Sequence, residues 1–452
     1  MAKTVAFHTL GCKVNSYETA YIRQEMVLRG YEVVPFHERA DIYIINTCSV
    51  TNIADQKSRQ MIHRARKKNP DALVVATGCY VQAMRTDESG LEGVDLAVGN
   101  NHKAEIVNLI EETLSVRAVD SSARGRILHI DDIAAEPACE SMRLTTQTEH
   151  TRAYIRVQDG CNQFCTYCII PYVRGRIRSR LPEDVVQEVE GLVQSGYKEI
   201  VLTGIHLSSY GMDPKSGMLF LDGKPLLDLL KRLDEIPGLR RIRLGSLEPR
   251  IITEDFVREL SGLKTICPHF HLSLQSGCLE TLRRMNRHYT PEEYLEGVRI
   301  LRKYFDDPAV TTDVIVGFPG ETEEEFEESR AFLAGVDFFE MHIFRYSRRK
   351  GTRADLMPDQ VSAPVSEKRS AALLEMEKEM SLKFRRRRLK RDMEVLFEEI
   401  EEIDGRSYWV GHTPEYVRAA VRSDEDLRGS IRTVRGIEML TDDIVFCLET
   451  SQ

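Results

Sequence analysis

The chain has 452 residues, which is too long for one hydrophobic core and predicts about three domains of roughly 150 residues each. Hydrophobic residues make up 42% and charged residues 29%, as in ordinary soluble globular proteins, and no apolar run could span a bilayer, so we expect no membrane association. The net charge of −9 excludes a protein that binds nucleic acid over its whole surface, so any polyanion site must be a local basic patch.

Strand and helix patterns alternate over the first 116 residues. Apolar strand segments lie at 5–10, 42–46 and 72–76, and helices are predicted at 16–29 and 55–68. This alternation predicts an α/β domain with a mostly parallel sheet. The apolar N-terminal stretch is short and lacks a small-residue cleavage site. We therefore interpret it as a first strand rather than a signal peptide, and we expect a cytoplasmic protein.

Three of the ten cysteines, Cys12, Cys48 and Cys79, each follow one of these strands. A single cysteine at such a place is usually a small buried side chain. The carboxyl ends of parallel strands meet in one crevice, however, so the three thiols should converge, and Gly11 and Gly78 allow close backbone approach. Three thiols in register favour shared ligation of a metal cluster over a disulfide framework, which a reducing compartment disfavours.

The strand and helix pattern restarts after a predicted linker at 117–146, which contains Cys139 without an assigned role. Six further apolar strand segments, separated by helical stretches, are predicted at 153–157, 199–203, 241–244, 270–274, 312–316 and 340–344. Six units are fewer than the eight of a closed (β/α) barrel. We therefore expect a partial (β/α)6 barrel over 147–382, with its chemistry at the carboxyl ends of the strands.

The cysteines Cys161, Cys165 and Cys168 follow the first of these barrel strands. Three thiolates within one short loop can bind three irons of an iron–sulfur cube and leave the fourth iron open to substrate. A zinc site would normally need a second pair of ligands, which is not visible nearby, and a disulfide does not suit the expected compartment. The spacing therefore favours an iron–sulfur cluster.

Two groups of arginines are candidate phosphate-binding residues. The first group, Arg174 to Arg180, has arginines spaced by two, so an extended segment would place all four side chains on one side. The second group, Arg385 to Arg388, is a continuous run. Further basic residues on the predicted helix 55–68 favour a polyanionic substrate, with a solvated surface as the alternative for each patch. The candidates for RNA binding are Arg174, Arg176, Arg178, Arg180, Arg385, Arg386, Arg387 and Arg388.

The loop Cys161-Asn-Gln-Phe-Cys165-Thr-Tyr-Cys168 resembles the signature of radical S-adenosylmethionine enzymes. Other segments, in the same order along nearly the whole chain, resemble the methylthiotransferase family of these enzymes. They include His8-Thr-Leu-Gly-Cys-Lys-Val-Asn, Asn46-Thr-Cys-Ser-Val-Thr, Gly78-Cys-Tyr-Val-Gln, Leu272-Ser-Leu-Gln-Ser-Gly and Gly317-Phe-Pro-Gly-Glu-Thr.

This resemblance implies two [4Fe-4S] clusters and S-adenosylmethionine as cofactors. Cys161, Cys165 and Cys168 would hold the cluster that cleaves S-adenosylmethionine, and Cys12, Cys48 and Cys79 would hold a second cluster that carries the sulfur. Both clusters should face one cavity, because a carbon radical must meet the sulfur before it is quenched. The candidate cofactor-binding residues are Tyr167, Gln275, Ser276, Gly317 and Glu321. Core packing is the alternative for Tyr167, and a tight turn before a helix is the alternative for the Gly317 segment.

The resemblance also implies the substrate and the partners. Lys13-Val-Asn after Cys12 looks most like the branch that converts N6-threonylcarbamoyladenosine, at tRNA position 37 next to the anticodon, to its 2-methylthio derivative. Methylthiotransferases for isopentenyladenosine in tRNA or for a ribosomal-protein aspartate are the alternatives, with a non-catalytic iron–sulfur RNA-binding protein as a further one. The implied partners are tRNA, S-adenosylmethionine and a low-potential electron donor such as flavodoxin or ferredoxin.

The C-terminal segment 383–452 contains short strand patterns and resembles the small RNA-binding TRAM β-barrel of this family. Acidic residues outnumber lysine and arginine there, which argues against wide RNA contact by this module. The expected organisation is thus an N-terminal α/β domain (1–116), a linker (117–146), a radical S-adenosylmethionine partial barrel (147–382) and a TRAM-like β-barrel (383–452).

Overall fold

Three groups of strands and helices follow one another in the computed structural model, which describes residues 3–119, 125–135, 138–145, 151–212 and 222–450. The predicted α/β class is confirmed. Within these ranges, no helix is both long enough and apolar enough to cross a bilayer.

The first group is a parallel sheet with helices packed against it. Its strands are β1 (Thr4–Thr9), β2 (Glu32–Val33), β3 (Ile42–Thr47), β4 (Leu73–Gly78), β5 (Leu96–Val98) and β6 (Ile127–His129). Its helices are α1 (Lys13–Leu28), α2 (Asn52–Lys68), α3 (Cys79–Ala83) and α4 (Ile106–Val119). The spatial order β2-β1-β3-β4-β5-β6 changes direction between β1 and β3, and ligands bind at the carboxyl ends beside such a switch point. Strand β6 lies inside the segment predicted as a linker. Its backbone pairs with the edge of β5, so this part of the segment belongs to the first sheet.

The second group is the predicted partial barrel. Its strands are β7 (Arg152–Asp159), β8 (Arg178–Ser179), β9 (Glu199–Gly204), β10 (Arg241–Leu244), β11 (His269–His271), β12 (Ala309–Val316) and β13 (Glu340–Arg345). Its helices are α5 (Ile170–Val173), α6 (Pro182–Gln194), α7 (Lys224–Asp234), α8 (Glu254–Ser261), α9 (Leu279–Arg284), α10 (Pro291–Tyr304), α11 (Glu323–Val336) and α12 (Ala363–Arg386).

Six parallel strands of this group form one curved, open wall. Strands β7, β9 and β10 pair in one sheet, and β11, β12 and β13 pair in another. Parallel bridges from Ile242 to Ile266 and from Leu247 to Leu272 join the two sheets. Apolar side chains on the outer side of the wall pack against the surrounding helices and form the largest core of the chain. Helix α1 of the first sheet packs against β7 and β9, so the N-terminal unit covers part of the opening.

The third group is a closed barrel of five strands. They are β14 (Asp392–Ile403), β15 (Arg406–His412), β16 (Arg418–Val421), β17 (Ile431–Met439) and β18 (Ile444–Glu449). Helix α12 runs across the predicted boundary at 383 and leads directly into this barrel. The division into the four predicted segments and the TRAM identity of the barrel stay predictions.

The C-terminal barrel docks on the amino ends of the partial-barrel strands. Arg243 at β10 donates hydrogen bonds to the carbonyl oxygens of Thr413 (3.2 Å) and Pro414 (2.7 Å) in the loop between β15 and β16. Its guanidinium lies 4.7 Å from the ring centroid of Tyr416, and that of Arg152, on β7, lies 5.0 Å from the same ring. The opposite, carboxyl ends of the strands are left to the cysteine loops.

Candidate metal centres and their shared chamber

The three N-terminal cysteines lie at the carboxyl ends of β1, β3 and β4. Cys12 is the N-cap residue of α1, Cys48 directly follows β3, and Cys79 is the first residue of α3. Gly11 has φ +105°, and a Cβ atom there would lie 3.1 Å from Cys48 Sγ, so a larger residue would push into the thiol site. The predicted convergence of the strand ends therefore brings these loops together.

The electrostatics of the three thiols show that they share one environment. The pKa of Cys48 is raised to about 12, chiefly by burial and further by the charges of the neighbouring Cys79 and Cys12. Burial also raises the pKa of Cys12, although its side chain is exposed, which places this thiol in an open space surrounded by protein. Thiolates this close repel one another, and a bound metal cluster offsets that repulsion.

The second triad lies in the loop after β7. The Gln163 amide donates to Cys161 Sγ at 3.5 Å, and Arg287 Nη1 donates to Cys165 Sγ at 3.2 Å. Burial raises the pKa of Cys161 to about 11, and the pKa of Cys168 is raised by burial and by the charges of the other two thiols. N–H groups directed at sulfur and a guanidinium beside a set of soft thiolate donors suit an iron–sulfur cluster.

The loops that carry the two triads are in direct contact. Helix α3, which begins with Cys79, packs against α5, which begins two residues after Cys168. Asn100 Nδ2 donates to the carbonyl oxygen of Val173 at 2.6 Å, and Arg174 Nε donates to Cys79 Sγ at 3.3 Å. The cysteine triads therefore lie on the same side of the molecule, as expected for a shared cavity.

A buried ionic network fixes this contact. Glu18 on α1 accepts hydrogen bonds from Arg174 and Lys103, and Arg156 lies 3.4 Å away. Asp159 at the end of β7 also lies near Arg174, at 3.3 Å. Burial alone would raise the pKa of Glu18, but the surrounding cations lower it well below its usual range. Paired in this way, the buried charges hold the N-terminal unit against the barrel.

The interpretation of Arg174, Arg178 and Arg180 as surface RNA-binding residues is wrong. Arg174 follows the short helix α5 rather than lying in an extended segment, and all three side chains are buried. Arg178 lies 3.6 Å from Asp159, and Arg180 binds Glu188 on α6. Only Arg176 of this group is exposed, because these buried carboxylates attract the other three guanidinium groups inward.

The second arginine group is also largely occupied within the fold. Arg385 is buried and binds Glu340 at 2.6 Å, and Arg388 is buried and lies 3.3 Å from Asp307. Arg387 lies 3.2 Å from the same Asp307 carboxylate. Arg386 alone among the four is exposed, so the run joins α12 to the barrel instead of forming a continuous basic surface.

The predicted cofactor-binding residues have mixed positions. Tyr167 lies beside the barrel thiols and packs edge-on against Phe318, with ring centroids 6.3 Å apart. Gln275 is buried at φ +74°, and the buried Ser276 hydroxyl accepts the amide of Cys278. These three stay predictions.

The Gly317 segment has a structural role that explains its sequence. The Glu321 carboxylate accepts the Gly317 amide at 2.6 Å and binds Arg369 of α12 at 2.7 Å. A Cβ atom at Gly317 would lie 2.6 Å from Ser366 Cβ on the same helix. The Glu321 carboxylate is thus buried and helps to dock α12, and the assignments of Gly317 and Glu321 to a cofactor stay predictions.

Several residues at this site were not predicted from the sequence. Arg287 contacts a barrel thiol from the loop after α9, and Glu18 is buried at the junction. The sequence could have indicated the junction through Asn15 and Glu18, which are three residues apart and share a helical turn with the buried Tyr17. The inner face of the barrel wall also carries His271, Asp313 and His342. The alternation of side-chain direction along β12 and β13 could have placed the last two on the same face.

Comparisons with known families match two parts of the chain. Residues 155–333 match the family described as "Radical SAM superfamily", and residues 4–99 match "Uncharacterized protein family UPF0004".

Curated relatives match nearly the full length. The "Threonylcarbamoyladenosine tRNA methylthiotransferase MtaB" of Bacillus subtilis (strain 168) is 40% identical over 438 residues, covering 96% of this chain and 93% of the relative. The protein of the same name from Aquifex aeolicus is 40% identical over 84% of this chain and 89% of its own length. The "tRNA-2-methylthio-N(6)-dimethylallyladenosine synthase" of Moorella thermoacetica is 34% identical over 96% of this chain and 95% of its own length.

Among solved structures, the fold is similar to that of the radical S-adenosylmethionine methyltransferase TsrM from Kitasatospora setae, solved with cobalamin and a [4Fe-4S] cluster. The TM-score is 0.54 with 18% identity, over 78% of this chain and 74% of that one. At this identity the likeness concerns the fold alone.

Proposed function

Because this chain belongs to the tRNA methylthiotransferase family of radical S-adenosylmethionine enzymes, we propose that it converts N6-threonylcarbamoyladenosine in tRNA to its 2-methylthio derivative. The observation that supports this reaction best is the contact between the two cysteine loops. Arg174 and α5 join the loop of Cys168 to the thiol of Cys79, so groups bound at the two triads would face one space. The names of the relatives with 40% identity support the threonylcarbamoyl substrate.

Each triad fits one iron–sulfur cluster with an open corner. We propose that Cys161, Cys165 and Cys168 hold one [4Fe-4S] cluster and that Cys12, Cys48 and Cys79 hold the other. When bound, these clusters and S-adenosylmethionine supply radical formation and the methylthio group. The protein residues position the loops: Arg287 donates to Cys165 of the barrel triad, and Arg174 donates to Cys79 of the N-terminal triad.

The proposed reaction replaces the hydrogen of an unreactive aromatic C–H bond of the substrate, which explains why the two sites must be adjacent. Such a carbon offers neither an acidic proton nor a leaving group, so acid–base residues alone cannot replace its hydrogen. Burial of the Glu18 network and packing of α1 over the barrel exclude bulk water from the junction of the two sites.

The tRNA contacts are proposed for exposed cations on a helix of the N-terminal unit. Helix α2 starts beside Cys48, and its exposed face carries Arg59, Arg64, Lys67 and Lys68. Such residues position the phosphate backbone without reading sequence. We also propose a cytoplasmic location and a low-potential donor such as flavodoxin or ferredoxin.

Mass spectrometry of tRNA nucleosides tests the reaction and the substrate together. Cells lacking the gene should lose 2-methylthio-N6-threonylcarbamoyladenosine and accumulate the parent nucleoside. A plasmid copy should restore the product, whereas copies with Cys161→Ala or Cys12→Ala should not. Loss of the methylthio form of the dimethylallyl nucleoside instead, or no change in tRNA, would contradict the proposal and favour the alternative substrates.

A further inference from the structure

The inner face of the barrel wall carries a polar group outside both cysteine triads. His271, Asp313 and His342 come from three adjacent strands, and register pairs Asp313 with His342 and His271 with Thr311. His271 Nε2 lies 3.3 Å from Asp313 Oδ2, and Nδ1 of the same ring lies 3.0 Å from Thr311 Oγ1. The His271 and His342 rings are nearly parallel, with centroids 5.8 Å apart.

This group faces open space rather than the core. His342 is exposed, His271 and Asp313 are half-buried, and Phe344, two residues after His342 on the same face, is 46% exposed. Residues of the opposite face, such as Val314 and Val316, are buried against the helices. The inner face therefore places one exposed aromatic ring beside hydrogen-bonding groups, a combination found in small-molecule sites.

Lys13 faces the same space from the N-terminal unit. It directly follows Cys12, and its side chain is exposed at the start of α1. Helix α1, which begins with Lys13, packs against β7 and β9 of this wall. Burial lowers the pKa of His342 most, Asp313 raises it, and the positive charges of His271 and Lys13 lower it, in keeping with this placement of the ammonium group. Within the part of the chain that the structure describes, Lys13 makes no ion pair, whereas the nearby Arg152 and Arg243 are paired with Glu398 and Glu199.

An exposed lysine beside this wall, without an ion-pair partner in the described residues, can attract an anion. Two histidines and a carboxylate with ligand atoms within 4.8 Å of one another could also hold a divalent metal ion. The ammonium of Lys13 opposes a second cation in the same space and attracts an anion. The charge balance therefore favours an organic acid over a metal.

The substrate named above carries such a group, because the threonylcarbamoyl substituent ends in a carboxylate and a hydroxyl, whereas a dimethylallyl substituent is apolar. We propose that Lys13 binds the substituent's carboxylate and that His271, Asp313 and His342 bind its hydroxyl and ureido groups, so this wall selects the substrate. This inference rests on the proposed function and adds a specificity site to it. Its chemistry is a charge-assisted hydrogen bond of the kind that discriminates strongly against a neutral analogue.

The test compares two anticodon hairpin RNAs with the reconstituted holoenzyme. One hairpin carries threonylcarbamoyladenosine, and the other carries its carboxamide, in which the negative charge is removed. Wild-type enzyme should prefer the acid by about tenfold or more in kcat/KM. Lys13→Met should lower kcat/KM for the acid by about tenfold or more and change that for the amide less than about twofold, and Lys13→Arg should keep the preference.

Binding of the same RNAs, measured by fluorescence anisotropy without S-adenosylmethionine, gives a readout independent of the clusters. Lys264→Met, at an exposed lysine outside the barrel, should behave as wild type. A Lys13→Met protein that still prefers the acid in both assays would overturn the inference while leaving the proposed function intact. Wild-type enzyme that modifies only a dimethylallyl hairpin would contradict the proposed function itself. A divalent ion beyond the cluster iron, lost on His271→Ala, would show a metal site instead.

Discussion

Arg174 Nε lies 3.3 Å from Cys79 Sγ, while the same guanidinium binds Glu18 of α1. One side chain from the barrel thus contacts both a candidate cluster ligand and the helix that begins after Cys12. This relationship joins the loop of the N-terminal triad to the segment that follows the barrel triad.

Replacement of Arg174 should therefore affect the N-terminal cluster selectively. Arg174→Lys keeps the charge but loses the Nε–H donor and the two-pronged contact with Glu18. We expect iron per chain to fall from about eight towards about four after anaerobic reconstitution, with the barrel cluster retained. Iron analysis and electron paramagnetic resonance check this, with Arg176→Lys, an exposed neighbour, as the control. Full iron content in Arg174→Lys would show that the contact is not needed for cluster binding.

Neutralising Glu18 should destabilise the junction. In Glu18→Gln the buried Arg174 and Lys103 lose their shared carboxylate, and breaking a buried pair in this way costs about 3–5 kcal/mol. Amide hydrogen exchange in α1 should therefore become faster, because this helix opens more easily. The control Glu112→Gln, on the exposed face of α4, should leave the exchange rate unchanged. Unaltered exchange in Glu18→Gln would contradict this role.

The same carboxylate gives a pH dependence with a defined sign. The pKa of Glu18 is lower in the folded chain than in the unfolded chain, where it is about 4.5. The Glu18 carboxylate therefore contributes to the free energy of unfolding above about pH 4.5, and this contribution is lost as the pH falls towards the pKa of the folded chain. The difference in thermal midpoint between wild type and Glu18→Gln should thus be largest near neutral pH and should narrow below about pH 5. A difference in thermal midpoint that grows as the pH falls would contradict this direction of the pH dependence.

The sequence predicted the strands well because their apolar runs are buried on one or both sides. The segments at 42–46, 199–203 and 312–316 all lie within observed strands, and the cysteines after β1, β3 and β4 converge as parallel topology requires. Cys267, Cys278 and Cys447 are also buried, where a free thiol behaves as a small hydrophobic side chain.

The arginines could not be assigned from local spacing, because their partners are distant in the chain. Arg174 meets Glu18 across 156 residues, and Arg243 meets Thr413 across 170. A spacing of two is informative only for an extended segment, and Arg174 instead follows a helical turn. Only the fold shows which cations are neutralised inside and which stay on the surface.

The barrel triad should depend on Arg287. In Arg287→Met, Cys165 Sγ loses an N–H donor and a nearby positive charge, both of which stabilise the reduced, more negative state of a thiolate-bound cluster. We expect a more negative reduction potential and slower formation of 5′-deoxyadenosine. A potentiometric titration checks the first effect, with Arg283→Met, exposed on α9, as the control. An unchanged potential would assign Arg287 to packing against Tyr289 alone.

The docked position of the C-terminal barrel should depend on Arg243. Arg243→Met removes two hydrogen bonds to the 413–414 carbonyls, the contact with the Tyr416 ring and the buried pair with Glu199, and the hydrogen bonds contribute roughly 1–3 kcal/mol each. Amide exchange at 413–417 should become at least about tenfold faster. Arg240→Met, which removes an exposed pair with Glu394, serves as the control and should not produce this change. Equal protection in both variants would show that other contacts hold the barrel.

The exposed face of α2 should contribute to tRNA affinity through charge alone. The triple variant Arg64→Gln, Lys67→Gln, Lys68→Gln removes three exposed cations from the helix that begins beside the Cys48 loop. If each binds one phosphate, the slope of log K against log salt should decrease by about 2 for a single-stranded loop and by slightly more for a duplex. Arg258→Gln, Arg299→Gln and Arg330→Gln, on the outer faces of α8, α10 and α11, remove the same charge elsewhere and should change the slope little. Equal decreases in the two triple variants would mean that net charge, rather than the α2 surface, attracts the tRNA.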